Sequence, residues 1–376
     1  SSSRTSATSS STAPNSKQPQ QSKLIVRSSS SSSTSTSPST TATAVALTGR
    51  SGHDRVKRRL IGEDSPFLEA LGVTKKGGGI AAGKASKLKQ INRFVEIFGS
   101  VVSDAVKSKP RFTPERNNKN NNSVSVNVVD IGAGRGYLTF AVYDYLTRAA
   151  RAAACGIDKE SVKVVGVERR AELVQETNEI ASRVGFSPGL EFMATSAMGS
   201  SAEEWSWIRS GQRDDVDCDD GNVVNVLIAL HACDTATDDA LMIAIKRKAH
   251  VVLTAPCCHK EVRREMVKVK GRESATRMMM GEVMRHGILL ERQAEIATDA
   301  LRALVLEAHG YEAKVFEFVS GEHTAKNLMI VGVRKKRVEL DAEKEEHGVD
   351  WGKVEEFMDF YGIKTQRLVR LLRDGS

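Results

Sequence analysis

Residues 128–138 read VVDIGAGRGYL, and this stretch decides the fold class. A short aliphatic run leads into a glycine-rich turn, and the turn leads into a helical pattern. Gly132 and Gly134 allow the backbone to turn tightly and a ligand to approach it closely, and Gly136 begins the helix. The spacing Gly-x-Gly-x-Gly after Asp130 differs from the Gly-x-Gly-x-x-Gly of dinucleotide-binding proteins. An acidic residue at this strand end suits a cationic or amine-bearing ligand.

Short aliphatic runs alternate with helical patterns from Val124 onward, as in parallel strands joined by crossover helices. The predicted buried strands are Val126–Asp130, Val162–Glu168, Leu190–Ala194, Val223–Leu230 and His250–Ala255. The predicted helices are Thr139–Ala152, Ala171–Val184 and Thr298–Ala308, the last with Thr298 or Asp299 as its N-cap. Two further strands, Ala313–Val319 and Asn327–Val333, are predicted to form a terminal hairpin. The sequence therefore predicts a doubly wound α/β fold.

Composition excludes several classes of protein. The chain has 376 residues and a net charge of +8, from 55 Lys and Arg against 47 Asp and Glu. Residues 1–53 hold five of the basic residues and no acidic one, so the remainder carries 50 basic and 47 acidic residues, or +3. This mild bias argues against a protein dedicated to coating nucleic acid. No stretch approaches the ~20 apolar residues of a transmembrane helix. Five cysteines, two of them adjacent, fit a reducing compartment rather than a secreted disulfide framework.

The chain is predicted to contain five segments. They are a disordered Ser/Thr-rich leader over 1–52, a helical lead-in over 53–115, an Asn-rich loop over 116–123, an α/β domain over 124–335 and a helical extension over 336–376. The leader has the composition of an organellar transit peptide and equally that of a plain low-complexity tail. We expect an intracellular protein, in a plastid or mitochondrion if the leader is a transit peptide and in the cytoplasm otherwise, with no membrane partner.

The lead-in contains an amphipathic helix with a basic surface. Apolar residues recur at helical spacing at Leu88, Ile91, Val95 and Phe98. Basic residues crowd the same helix and the turn before it at Lys84, Lys87, Lys89 and Arg93. This pattern fits either a solvated helix face or a strip that contacts phosphates.

The glycine-rich turn and its surroundings resemble motif I of the class I S-adenosylmethionine (SAM)-dependent methyltransferases. The resemblance covers roughly 124–335 and implies a Rossmann-like seven-stranded sheet with an antiparallel last strand. It also implies that Asp130, Gly132, Gly134 and Gly136 bind the methionine part of SAM. Glu168 closes the second strand, where a carboxylate can accept both ribose hydroxyls, although it could also be a surface residue before two arginines.

Further candidate residues follow other strand ends. Ser196 follows the third strand, at the adenine side of the family's site. His231 and Asp234 follow the fourth strand, and His259 follows the fifth. His323 lies in the predicted hairpin turn. Because ligands bind outside the carboxyl ends of parallel strands, we expect these side chains to converge on one edge. Each histidine could instead be a hydrogen-bonded structural residue, and the cysteine spacing gives little support for a zinc site.

A narrower resemblance rests on two short motifs. His231-x-Cys233-x-x-x-Thr237-Asp238 and Cys257-Cys258-His259 are similar to motifs of the group related to the eukaryotic tRNA acceptor-stem 2′-O-methyltransferases. Leu230 stands where those enzymes have lysine, and their N-terminal zinc modules are absent from this sequence. The resemblance implies substrate-side roles for Arg93, His323, Lys326 and Asn327.

These observations predict a SAM-dependent methyltransferase that acts on RNA, either tRNA or rRNA. His231 or His259 is the predicted base, and Asp234 orients it or substitutes for it. No resident metal is predicted, and the sequence does not define an oligomeric state. The alternatives are a protein or small-molecule methyltransferase and a non-catalytic SAM-fold protein that binds RNA or assists assembly.

Overall fold

The structure is a computed structural model that describes residues 59–109, 124–151, 156–195, 222–230, 232, 234–268, 281–319, 326–335 and 349–373. The chain divides into two units, Ser1–Val56 and Lys57–Ser376, and every described residue lies in the second. The predicted leader and the Asn-rich loop lie outside the described residues.

A seven-stranded sheet forms the centre of the fold, in the order β3-β2-β1-β4-β5-β7-β6. Its strands are β1 (Val124–Ile131), β2 (Ile157–Glu168), β3 (Leu190–Ala194), β4 (Val223–Ala229), β5 (Val251–Thr254), β6 (Tyr311–Glu317) and β7 (Leu328–Arg334). The first five strands pair in parallel, whereas β7 runs antiparallel to both β5 and β6. This topology confirms the predicted fold class, including the antiparallel last strand.

Nine helices have both of their ends given by the described residues. They are α1 (Pro66–Ala70), α2 (Ala85–Lys107), α3 (Tyr137–Arg151), α4 (Ala171–Arg183), α5 (Thr235–Lys246), α6 (Lys260–Lys268), α7 (Gly287–Ala308), α8 (Gly352–Tyr361) and α9 (Arg367–Arg373). The helix predicted from the apolar spacing of the lead-in is confirmed as the longer α2. None of the helices in the described part of the chain is long and apolar enough to cross a membrane.

The predicted start of the helix before the hairpin is wrong. Helix α7 begins at Gly287, eleven residues before Thr298, with His286 at its N-cap position. The Thr298 hydroxyl donates to the carbonyl of Ala294, 2.6 Å away, so it bonds the preceding helical turn instead of capping a helix. Asp299 is also buried inside the helix, where it accepts a hydrogen bond from Arg302.

Alternate side chains of each central strand pack on opposite faces of the sheet. Val126 and Val128 of β1 join the core beneath α2, α3 and α4, whereas Val129 and Ile131 join the core beneath α5, α7 and α8. Because both faces are covered by helices, the strands are apolar at nearly every position. Polar side chains that bind a ligand are therefore expected at the strand ends.

A buried guanidinium connects four segments on the second face. Arg302 of α7 is fully buried, and it donates two hydrogen bonds to the Asp238 carboxylate of α5, at 2.9 and 3.1 Å. It also donates to Asp299 and to the carbonyl of Asp234, at 3.2 and 2.9 Å. The Gln366 amide, just before α9, donates to Asp238 at 2.8 Å. The network therefore fixes the C-terminal residues against the start of α5.

Replacement of Arg302 should destabilise the fold strongly. Arg302→Leu leaves the Asp238 carboxylate buried without its main partner, so we expect the free energy of unfolding to fall by about 3–5 kcal/mol. The matched control is Arg292→Leu on the same helix, because Arg292 is half exposed and its ion pair with Glu295 is worth ~0.5 kcal/mol. Urea denaturation measures both variants. Equal losses in the two would contradict the role given to Arg302.

Candidate active site

A cavity of about 800 Å³ opens at the carboxyl ends of β1, β2 and β4. In the sheet, β1 lies between β2 and β4. The chain continues from β2 into α4 on one face and from β4 into α5 on the other face, so a crevice forms at this edge of the sheet. The first turns of α2 form one wall of the cavity through Lys87, Gln90, Ile91 and Phe94. The lead-in helix therefore belongs to the site.

The glycine-rich turn forms the floor of the cavity. Gly132, Gly134 and Gly136 have φ angles of +78°, +57° and +73°, a region that favours glycine. A Cβ on Gly136 would also lie 2.8 Å from the Phe192 ring. The amides of Gly132 and Ala133 both donate to the Val167 carbonyl, which attaches the turn to the end of β2.

Glu168 is held at the edge of this turn. One carboxylate oxygen accepts the Gly134 amide at 3.0 Å, and the other accepts the amide and Nε of Arg170 at 3.1 and 2.8 Å. The hydrogen bond from the Arg170 side chain is the main cause that holds the pKa of Glu168 below its usual range. Glu168 lines the cavity as an ionised acceptor with fixed orientation.

Asp130 lies at the end of β1 and also lines the cavity. Its side chain is buried and accepts a hydrogen bond from the Thr139 hydroxyl at 2.7 Å. Burial raises the pKa of Asp130 to about 7, against the lowering effect of Thr139 and with a smaller raising effect from Glu168. A cationic group bound in the cavity would favour the ionised carboxylate.

Two of the residues predicted as catalytic, Asp234 and His259, are described by the structure. The carboxylate of Asp234 accepts the Lys260 amide at 3.0 Å, so it binds the first amide of α6. His259 is buried, with its Nε2 3.1 Å from the Asp299 carboxylate. The segments after β4 and β5 therefore meet as expected, but neither of these two side chains is among those that line the cavity. Their catalytic roles stay predictions.

The predicted substrate-side residues make contacts within the protein. Arg93 donates to the Phe318 carbonyl at 3.2 Å, and Phe318 lines the cavity. Lys326 forms an ion pair with Glu295 of α7. The buried Asn327 amide donates to the Val319 carbonyl at 3.0 Å. The predicted site residues Ser196, His231 and His323 lie outside the described residues.

No group of three or more His, Cys, Asp or Glu side chains within the described ranges is arranged to bind a metal ion. The sulfurs of Cys257 and Cys258 lie 3.7 Å apart, and both residues are half-buried.

Sequence reasoning missed two charged residues of the cavity. Asp239 of α5 and Arg367 of α9 both line it, and the Arg367 Nε donates to the Asp239 carboxylate. Asp239 directly follows the motif residue Asp238, and this position next to a motif was the one weak indication in the sequence that Asp239 belongs to the site. Arg367 is 128 residues away along the chain, and no local pattern connects the two.

Comparisons with known proteins identify the domain. Residues 86–265 match a family model described as a methyltransferase domain. Among solved structures, the O-methyltransferase from Bacillus cereus in complex with SAH is 13% identical, with a TM-score of 0.38 over 73% of this chain and 93% of that one. The cofactor-bound Rv0187 from MTB is also 13% identical, with a TM-score of 0.35 over 74% and 93%. No curated protein matches the chain.

The sheet topology, the glycine-rich turn and the family match together define a class I methyltransferase domain. The family match and the fold assign a SAM-dependent methyltransferase activity to this domain.

The residues of the cavity fit SAM. Glu168 is an oriented, ionised acceptor for hydroxyl groups, and the open backbone of the glycine-rich turn lies next to it. The Asp130 carboxylate is buried in the floor with a raised pKa, which an ammonium group would lower again. Glu168 would therefore bind the ribose, and Asp130 with the turn would bind the methionine part.

Loss of the Glu168 charge should weaken cofactor binding. Glu168→Gln keeps the shape of the side chain but loses the carboxylate that would accept the ribose hydroxyls, so we expect SAM to bind about 10- to 100-fold more weakly, or ~1.5–3 kcal/mol. Isothermal titration calorimetry measures this effect. Glu176→Gln is the control, because Glu176 is exposed on α4 and pairs with Arg135. Unchanged affinity in Glu168→Gln would remove the ribose assignment.

Cofactor affinity should depend on pH through Asp130. Below about pH 7 the free protein holds a proton on this carboxyl group, and binding of a cationic ligand must release it. Affinity should therefore fall as the pH falls, by about tenfold between pH 8 and pH 6. In Asp130→Asn, binding should be weaker at both pH values and this dependence should disappear. The same pH dependence in the variant would show that another group is responsible.

Proposed function

We propose that this enzyme transfers the methyl group of SAM to RNA, with tRNA or rRNA as the substrate. The observation that carries the proposal is the position of Lys87. This half-buried lysine of α2 lines the cofactor cavity, with its ammonium 5.3 Å from the centre of the Tyr137 ring. Burial lowers the pKa of Lys87, and Lys84 lowers it further. A phosphate in the cavity would be attracted to Lys87, and Lys84 lies one helical turn before it along the chain.

The charges around the cavity also favour an anionic substrate. The basic residues of its lining are Lys87, Arg135, Arg169, Arg170 and Arg367, and the acidic ones are Asp130, Glu168 and Asp239. Glu168 and Asp239 are each paired with an arginine. Neither Lys87 nor the exposed Arg169 forms an ion pair with any residue in the described ranges. These two cations remain to bind a phosphate backbone.

The surroundings of Leu230 bear on the acceptor group. This buried residue lines the cavity at the end of β4, at the position where the 2′-O-methyltransferases of the resembled group have lysine. An apolar side chain there cannot assist ionisation of a hydroxyl group. An amine needs only polar acceptors that remove its proton, so the site favours a base nitrogen over a ribose hydroxyl.

The protein contributes mainly positioning to the reaction. SAM supplies an electrophilic methyl group on a sulfonium. Glu168 would hold the ribose and Asp130 the methionine part, the two groups that flank the sulfonium, so rigid strand ends would set the orientation of the methyl group. The α2 wall, with Lys87 and Phe94, then limits the direction from which an acceptor can approach.

Incubation with tritiated SAM tests the substrate class. The enzyme is mixed with fractionated cellular RNA and protein, and we expect label in an RNA fraction that nuclease treatment removes. Label that appears only in the protein fraction would refute the RNA proposal and favour a protein methyltransferase.

The position of Lys87 allows a sharper test of RNA binding. Lys87→Gln removes one phosphate contact, so RNA affinity measured with SAH present should fall by about threefold or more, and the salt slope should decrease by about 1. Lys107→Gln is the control, since Lys107 is exposed at the other end of α2, about 30 Å away. Equal losses of RNA affinity in the two variants would indicate nonspecific attraction and contradict the phosphate contact proposed for Lys87.

A further inference from the structure

The order of the strands indicates where methyl transfer takes place in the cavity. Glu168 marks the ribose position at the end of β2, and Asp130 marks the methionine position at the end of β1. β4 is the next strand across the sheet. In SAM the sulfur that carries the methyl group joins the ribose to the methionine chain, so a cofactor held at β2 and β1 would present its methyl group to the rest of the cavity, at the end of β4. The residues that line the cavity there are Leu230, Ala232, Thr235, Ala236 and Asp239, together with Arg367 from α9.

Among the described residues that line this end of the cavity, Asp239 is the one with a carboxylate group. It is buried, and one of its oxygens accepts a hydrogen bond from the Arg367 Nε at 2.5 Å. The backbone amide of Arg367 donates to the Glu261 carboxylate of α6 at 2.9 Å, which fixes the start of α9. The second carboxylate oxygen of Asp239 makes no hydrogen bond to the described part of the protein.

The two neighbouring aspartates on this segment are already engaged. Asp238 accepts hydrogen bonds from Arg302 and Gln366 on the side away from the cavity. Asp234 accepts the first amide of α6. Asp239 therefore has both the exposure to the cavity and the free acceptor capacity that the other two lack.

We propose that Asp239 accepts the proton of the methyl acceptor and that Arg367 is the residue that positions its carboxylate. This proposal rests on the methyl transfer proposed above. In the step, a lone pair of the acceptor atom forms a bond to the methyl carbon. The bond between methyl and sulfur breaks with its electron pair left on sulfur, and the proton of the acceptor passes to a carboxylate oxygen of Asp239.

The electrostatic surroundings of Asp239 suit this role. Burial raises the pKa of Asp239 above its ordinary value, Arg367 of α9 lowers it, and Asp238 on the same helix raises it. Glu261 of α6 faces the same arginine. The raised pKa brings the carboxylate closer to the working pH of an enzyme, where a general base is most effective.

Arg367 also extends the active site beyond the matched domain. The family model ends at residue 265, and α9 lies about a hundred residues later in the chain. The buried hydrogen bonds of Gln366 to Asp238 and of the Arg367 amide to Glu261 fix α9 at the cavity wall. The C-terminal extension therefore supplies a side chain to the site as well as covering the core.

A binding experiment tests the location of Asp239 without any acceptor. SAM carries a positive charge on sulfur and SAH does not. A carboxylate close to the methyl group that is transferred therefore favours the binding of SAM over that of SAH. In Asp239→Asn, the ratio of SAM affinity to SAH affinity should fall by about three- to tenfold in calorimetric titrations. In Asp104→Asn, which removes an exposed carboxylate at the far end of α2, the ratio should stay unchanged. The same ratio in wild type and Asp239→Asn would overturn the proposal.

Turnover then tests the proton transfer. With whichever fraction the wild-type enzyme labels, kcat of Asp239→Asn should fall by about 100-fold or more, while its melting temperature stays close to that of the wild type. Arg367→Gln should lower kcat and shift the acidic limb of the pH profile, and Arg367→Lys should restore most of both. A loss below tenfold in Asp239→Asn would overturn the proton-accepting role. Label in protein instead of RNA would refute only the substrate proposal, because the same variants can be compared on that fraction.

Discussion

The attachment of the glycine-rich turn to the end of β2 is the constraint on which the site depends. Two consecutive amides of the turn donate to the Val167 carbonyl, and the next amide, that of Gly134, donates to the Glu168 carboxylate. The positive φ angles of the glycines make this geometry possible without steric strain. One short segment thus joins two strands, forms the floor of the cavity and orients the carboxylate that would bind ribose. Any change in the relative position of β1 and β2 would disturb all three.

The second face of the sheet explains how a distant helix reaches the same cavity. A fully buried arginine is costly unless its donors are satisfied, and Arg302 satisfies them with two carboxylates and a carbonyl. Gln366 joins this network through Asp238, and the following residue, Arg367, then lies against Asp239. The stability of the network and the position of Arg367 are therefore linked, and the C-terminal extension supplies a residue to the cavity wall.

The sequence predicted the features that depend on local patterns. The seven strands and α2 follow from aliphatic runs and helical spacing, and Asp130 and Glu168 follow from their places at strand ends. Thr298 and Asp299 misled the helix prediction because polar residues inside a helix resemble caps when their partners are unknown. The contact between Asp239 and Arg367 could not be predicted, since 128 residues separate the two and only the packing of α9 on α5 brings them together. Lys87 was recognised as basic, but its place in the cavity wall depends on how α2 packs on the sheet.

The net charge of the chain gives little support to an RNA substrate, whereas the placement of a few charges gives more. Residues 1–53, which hold no acidic residue, account for +5 of the net charge of +8, so the remainder is close to neutral. Within the cavity, the carboxylates of Glu168 and Asp239 each form an ion pair with an arginine, so the charges within each pair largely cancel. Lys87 and Arg169 then line the cavity without carboxylate partners in the described ranges. Because exposed charges are screened within about 10 Å at ordinary ionic strength, cations that line the cavity would act on a phosphate bound there.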